Sequence, residues 1–249
     1  MSKLNKADLH IHTTHSDGVA EVPELLAHVA EQTDLRLIAI TDHDSIAGAR
    51  QAARLARGFG VEVVIGEEVS TAEGHLLALF IDSALPPGRP AAETIAAVHA
   101  QGGLAIAPHP FDRSVPSLGR AGLWRVDWPL DAIEGFNAGV FWSQRGCNAA
   151  ARRSAAEMGL PSVGGSDAHT LATVGQGYTC FPGASADDLY RAIVQGQVSW
   201  GGRYWSLQQY IDMGRQLIRQ RGLRGSIGLA SAGAGLTARQ NNQAPTVCE

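Results

Sequence analysis

The strongest constraint on the fold is a run of four apolar residues, Leu37-Ile38-Ala39-Ile40, that ends at once in Thr41-Asp42-His43-Asp44. An apolar strand without alternation needs cover on both faces, as in parallel α/β sheets. The device recurs. Val61 to Ile65 leads to Gly66-Glu67-Glu68, and Leu104 to Ala107 leads to Pro108-His109-Pro110. Ala132-Ile133-Glu134-Gly135-Phe136-Asn137 resembles another strand ending in a polar group, and Pro161 to Gly165 runs into Ser166-Asp167-Ala168-His169. His75 opens a strand over 76–81, and residues 178–181 form a short one. Helical stretches lie between. Val22, Leu25, Leu26 and Val29 recur at helical spacing behind Pro23 and Glu24. Ser45 caps a helix running to about Arg57, another covers about 91–100, and a third covers 145–157. Ser185 and Asp188 make a capping box for a helix that ends near Gly196.

About seven strand–helix units follow, with mainly parallel pairing, which predicts an α/β barrel. Residues 112–127 have no clear period and read as a long loop over the catalytic face. An amphipathic helix over 206–221 and a Gly-, Ser- and Ala-rich stretch from 222 to 249, expected to be a loosely held tail, end the chain. Nothing in the composition marks a boundary, so one domain is expected over 1–249, with its core at about 7–221.

In the stretch ADLHIHTTHSDG, His10 and His12 alternate with Leu9 and Ile11, so both imidazoles leave an extended strand on one face. Asp17 and the turn-permitting Gly18 follow. The polar residues at predicted strand ends are His10, His12, Asp17, His43, Glu68, His75, His109, Asp167 and His169, and they include six of the nine histidines. Such a set suits a borderline divalent ion such as Zn, Mn or Fe. The three cysteines are scattered, in no zinc-ligand spacing, and fit a reducing cytoplasm. A net charge of −4 gives no reason to expect general nucleic-acid affinity, and no apolar run reaches membrane-helix length. The N-terminal residues lack a signal-peptide core.

The motifs DLHIHTTHSDG, ITDHD, GEEVS, HAQGGLAIAPHP and GSDAH, in that order, resemble those of the PHP-domain phosphoesterases, the family named for domains of bacterial polymerases and histidinol phosphatase. The resemblance covers about residues 7–182. It implies a distorted (β/α)7 barrel with two or three divalent metal ions at the C-terminal ends of the strands. It also implies that His10, His12, Glu68 and Asp167 hold one metal, that Glu68 bridges to a second completed by His75 and His109, and that Asp17, His43 and His169 hold a third. Glu68 rather than Glu67 matches the family's G-x-E-[IV]-S pattern, and a strand turns Glu67 to the other face. Asp17 stands where some members have histidine.

Phosphate-ester chemistry follows from charge. Clustered cations neutralise an anionic ester and lower the pKa of a bound water towards about 7, which makes metal-bound hydroxide the expected nucleophile. His169 or Asp17 could assist a proton transfer. Arg113, shortly after His109-Pro110, could grip a phosphate bidentately, and Asn137 could hydrogen-bond substrate. One of Asp42 and Asp44 could orient an imidazole. The expected substrate is a small phosphorylated metabolite or nucleotide, handled without a membrane or obligate protein partner. The alternatives are an exonuclease on short oligonucleotides, a non-catalytic metal-stabilised module, and an amidohydrolase acting on C–N bonds.

Overall fold

In a computed structural model the chain is described over residues 4–125, 128–216 and 218–219. Nine strands form one sheet: β1 (Leu4–Asp8), β2 (Leu37–Ile40), β3 (Glu62–Ser70), β4 (His75–Leu79), β5 (Leu104–Ala107), β6 (Ala132–Asn137), β7 (Ser162–Gly165), β8 (Gly177–Pro182) and β9 (Ser199–Gly202). Their order is β7-β6-β5-β4-β3-β2-β1-β8-β9. The helices are α1 (Val22–Gln32), α2 (Ala47–Leu55), α3 (Ala91–Ala100), α4 (Gly119–Leu123), α5 (Gly146–Met158) and α6 (Ala186–Val194), and residues 207–216 are also helical.

The sheet curls until its ends nearly meet. The Thr179 hydroxyl of β8 donates to the Gly164 carbonyl of β7 and accepts from its amide, both at 2.9 Å. Ile11, just past β1, bridges in parallel to Ala168, just past β7. Ala7, Leu37, Ala39, Val64, Leu77, Leu79, Leu104, Ile106, Ala132, Val163 and Phe181 share one buried cluster. Eight strands contribute to it, as a barrel interior requires and an open sheet would not. Leu189, Ala192 and Ile193 of α6 join that cluster, while Ile38 and Ile40, on the other face of β2, pack on α1 and α2. This double cover explains the unbroken apolar run of β2.

Pairing departs from the mainly parallel expectation. β1-β2, β2-β3, β5-β6 and β6-β7 are parallel, whereas β1-β8, β3-β4, β4-β5 and β8-β9 are antiparallel. A parallel neighbour needs a crossover of a dozen or more residues, and the Ser70–Gly74 turn allows only a hairpin. β3 therefore serves two partners: Glu62 to Ile65 pair with β2, and Gly66 to Ser70 pair with β4. β9 was not expected from the short, glycine-containing stretch Ser199–Gly202. The loop expected after Asp112 contains the five-residue α4. The stretch 222–249, expected to be a tail, lies outside the described residues. Among the described residues no helix is long and apolar enough to cross a membrane.

Candidate metal centre

Most candidate ligands lie just past a strand end at one rim of the barrel, whereas Glu68 stands inside β3 and His75 opens β4. β1 stops at Asp8, and the chain stays extended through His10-Ile11-His12, wedged between two neighbours. Thr41 N donates to the Ile11 carbonyl at 2.8 Å, and His12 N donates to the Ala168 carbonyl at 2.9 Å. His43 pairs in parallel with Glu68 through an isolated bridge. Two ligand candidates have left-handed backbones, His109 at φ 27° and Asp167 at φ 55°, and Asp44 beside His43 has φ 52°. Non-glycine residues adopt such angles only where the surroundings enforce them, and they concentrate at functional sites.

The nine candidates converge. Glu68 is their hub, 1% exposed. Its Oε2 faces His10 Nε2 at 3.1 Å, His12 Nε2 at 3.2 Å and His43 Nδ1 at 3.5 Å. Its Oε1 faces His75 Nδ1 at 2.9 Å and His109 Nε2 at 3.0 Å. Asp167 Oδ1 lies 3.4 Å from His10 Nε2 and 3.3 Å from His12 Nε2. At the more open end, Asp17 reaches His169 Nε2 at 3.3 Å, His12 Nδ1 at 3.6 Å and His43 Nε2 at 3.8 Å. Four groups of potential ligand atoms result: His12-Asp17-His43-His169, His10-His12-Asp167, His10-Glu68-His109 and His43-Glu68-His75. The sets overlap more than the expected partition, because His12 and His43 each turn one ring nitrogen to Asp17 and the other to Glu68.

The donor set fits divalent ions. Buried polar atoms normally find hydrogen-bond partners, yet His12 Nδ1 and Nε2, His43 Nδ1 and His75 Nδ1 make no hydrogen bond. They crowd at separations close to the roughly 3.0–3.4 Å between ligand atoms on a shell of about 2.1 Å. The charges agree. Burial alone would raise the Glu68 and Asp167 carboxyls, but the imidazoles, His10 foremost, hold both well below the usual range. Burial alone would lower His12, but Asp167 and Glu68 lift it to about 10. His10 and His109 are raised likewise, whereas burial lowers His43. The field of these carboxylates calls for positive charge, which metal ions supply.

Glu67 faces away, as strand alternation requires. It is buried, its Oε2 accepts from Leu85 N at 2.9 Å, and its Oε1 has no partner. Burial pushes its carboxyl up to about 7.

Around the nine lies a layer that sequence reasoning missed. Glu134 accepts from His10 Nδ1 at 3.1 Å, from His109 N at 2.8 Å and from Asn137 Nδ2 at 2.9 Å. It thereby fixes the His10 ring with Nε2 turned to the cluster. The available signal was its place in Ala132–Asn137, where alternation puts a carboxylate among apolar residues. Asp8, fully buried and pushed up to about 6 by that burial, accepts from Ser166 N at 2.9 Å and Gly175 N at 2.8 Å, tying β1 to the Asp167 loop.

Two expectations need correction. Asn137 is fully buried, not presented to substrate: it donates to Glu134 and, at 3.2 Å, to Asp167 Oδ2, while its Oδ1 accepts from Gly139 N at 2.8 Å. Asp42 orients no imidazole; it accepts from Thr13 N, Thr13 Oγ1 and Ser16 Oγ, each at 2.7 Å, and so shapes the loop that carries Asp17. Asp44 accepts from Ser70 N at 2.7 Å. Arg113 is exposed on the loop after His109, its backbone amide donating to Gln144 Oε1 at 2.9 Å. His15, His28 and His99 stand outside the cluster, with His15 on Gln51 and His99 on Asp131.

The family models agree with this site: the PHP domain matches residues 8–112, and the PHP-associated C-terminal model matches residues 146–198. An uncharacterized protein of Methanocaldococcus jannaschii is 43% identical over 145 residues, covering 53% of this chain and 82% of that protein. The chain belongs to the PHP family. A 5′-3′ exoribonuclease of Haemophilus influenzae is 41% identical over 85 residues, which make up 32% of this chain and 31% of the relative. The chain thus spans only about a third of that enzyme. The PHP fold is matched by a two-domain Bacteroides vulgatus protein described as containing a predicted PHP-like metal-dependent phosphoesterase, with TM-score 0.66 and 18% identity over 88% of this chain and 70% of that one.

Proposed function

We propose that this PHP protein is a phosphoesterase that uses two or three divalent ions held by His10, His12, Asp17, His43, Glu68, His75, His109, Asp167 and His169. The observation that carries the reading is Glu68, whose two oxygens face two different sets of imidazoles. A carboxylate so placed can serve two cations at once. Bound ions supply Lewis-acid stabilisation of the phosphoryl oxygens and acidify water for attack. The protein supplies position and proton control. Glu134 holds the Nδ1 proton of His10, which keeps Nε2 free as a donor atom. Asp167 is held in place by Asn137. Asp17, its side chain 45% exposed, is held ionised by the neighbouring imidazoles, so it orients His169 at 3.3 Å, and His169 is the residue placed to assist proton transfer to a departing alkoxide. Arg113 enters from the rim to pair with the substrate phosphate.

The substrate is a small phosphorylated metabolite or nucleotide, and the whole chain acts as one soluble, cytoplasmic domain. The test is phosphate release from nucleotides, sugar phosphates, histidinol phosphate and short oligonucleotides, with amides for comparison, by protein reconstituted with Mn or Zn. Metal-dependent hydrolysis of a phosphate ester, with at least two metal equivalents bound, is expected. Stoichiometric binding of a single ion, or amide hydrolysis without phosphate release, would overturn the reading. Arg113→Ala should keep its metal and lose about ten- to hundredfold in kcat/KM, the effect of one charge-assisted hydrogen bond.

A further inference from the structure

Seven aromatic side chains gather beside the metal centre. Trp205 lies edge-on to His169 with centroids 6.4 Å apart, Tyr210 lies 5.2 Å from Trp205, Phe141 lies 5.2 Å from Tyr210, and Trp142 lies 5.8 Å from Phe141. Phe136, Trp200 and Tyr204 pack alongside. The chain of rings begins buried, with Trp205 3% exposed, and ends in the open, with Phe141 at 36% and Trp142 at 62%.

The loop that carries the last two rings is anchored at the site. A Cβ at Gly139 would stand 3.2 Å from Asp167 Cβ. The Gly139 carbonyl accepts from Tyr210 OH at 3.1 Å, and the Ala138 carbonyl accepts from Trp205 N at 3.1 Å. Phe141 is two residues beyond Gly139 and Trp142 three, so their Cα atoms lie within about 7 and 11 Å of it. On the far side of the same loop, Gln144 binds the Arg113 amide and donates to Asp112 Oδ1 at 3.0 Å, joining it to the loop that follows His109. Arg145 reaches back over the Tyr204 ring, 4.4 Å from its centroid. Two exposed aromatic rings and two exposed arginines thus lie on the joined loops that leave Asn137 and His109, beside the metal centre. Among the described residues neither Arg113 nor Arg145 is in an ion pair with a carboxylate.

We propose that Phe141 and Trp142 are the stacking platform for a planar heterocyclic base, so that the substrate of this centre is a nucleotide or the terminal nucleotide of a short strand. The inference rests on the phosphoesterase reading above and names its substrate class. Tryptophan suits positions where one side is apolar and the other wet, and here two contiguous rings are exposed together beside a polar site. Every base has a π-face, so such a platform favours nucleotides over sugar phosphates without choosing among bases. The adjacent arginines suit the anionic backbone.

The test compares AMP with ribose 5-phosphate, which differ by the base, on metal-loaded protein. AMP should be preferred about tenfold or more in kcat/KM. Trp142→Ala should raise KM for AMP about five- to hundredfold, more than it lowers kcat, and should collapse the preference. Trp142→Phe should restore it. Independently of turnover, a phosphonate analogue of AMP, with carbon in place of the bridging oxygen, should quench tryptophan emission in the wild type and quench it less in Trp142→Phe. Equal kcat/KM for the two esters, or equal effects of Trp142→Ala on both, would overturn the platform while leaving the phosphoesterase reading intact. Analogue quenching that depends on Trp142, without hydrolysis of any ester, would support the platform and remove the activity.

Discussion

Replacing Glu134 by glutamine separates charge and proton placement from shape. The carboxylate accepts three hydrogen bonds, from His10 Nδ1, His109 N and Asn137 Nδ2, and it is 1% exposed. An amide of the same size has only one accepting end. If its oxygen faces His10, its NH2 meets the His109 amide and the Asn137 NH2, donor against donor. If its NH2 faces His10, the ring must carry its proton on Nε2, the atom turned towards Glu68 and Asp167. Either orientation loses at least one charge-assisted bond of roughly 1.5–3 kcal/mol. Loss of such an outer partner lowers metal affinity or activity about 10- to 100-fold. The assay is metal affinity by competition with a chromogenic chelator, paired with kcat/KM on the best phosphate ester. Glu134→Gln should weaken both within that range, with the fold retained by circular dichroism. Wild-type affinity and turnover in Glu134→Gln would refute the idea that this carboxylate sets the His10 proton.

Three further outcomes follow from the same geometry. Glu68→Ala should lose at least two metal equivalents and nearly all hydrolysis, whereas Glu67→Ala should keep its metals; metal analysis of the two proteins decides, and the reverse order would contradict the register of β3. Gly48→Ala, which in an ordinary helix adds up to about 1 kcal/mol of stability, should instead lower Tm and weaken the Asp17 group, because its Cβ would collide with Asp42 Oδ2 and lie 2.8 Å from Thr13 Oγ1; a raised Tm would show that the Asp42 loop gives way freely. Glu67 ionises near the ordinary carboxylate value of 4.5 when unfolded but near 7 when folded, so the native state binds the extra proton between these values, and stability should fall as pH rises from about 4.5 to 7. Glu67→Gln should flatten that part of the denaturation profile, and an unchanged slope would assign the pH dependence elsewhere.

The sequence by itself determined which residues could be ligands and which segments carry them. Short apolar runs and helical spacing located β2, β5, β6 and α3 almost to the residue, and the buried stripe of α1, because burial on both faces or on one stripe leaves a local periodic mark. The same locality placed a polar residue after each strand, and strand alternation separated Glu68 from Glu67. Tertiary structure decided what periodicity does not encode. The pairing of β8 with β1, and the halving of β3 between β2 and β4, depend on where chain ends meet in space. Asn137 and Asp42 read as candidate partners of substrate or imidazole, but their roles are set by neighbours 30 and 29 residues away, Asp167 and Thr13. Glu134 carried only the signal of a carboxylate in an apolar strand, because its partner His10 is 124 positions distant. A side chain's hydrogen bonds are chosen by closure of the barrel, and the sequence records the donor and acceptor types without recording which will be brought within 3 Å of each other.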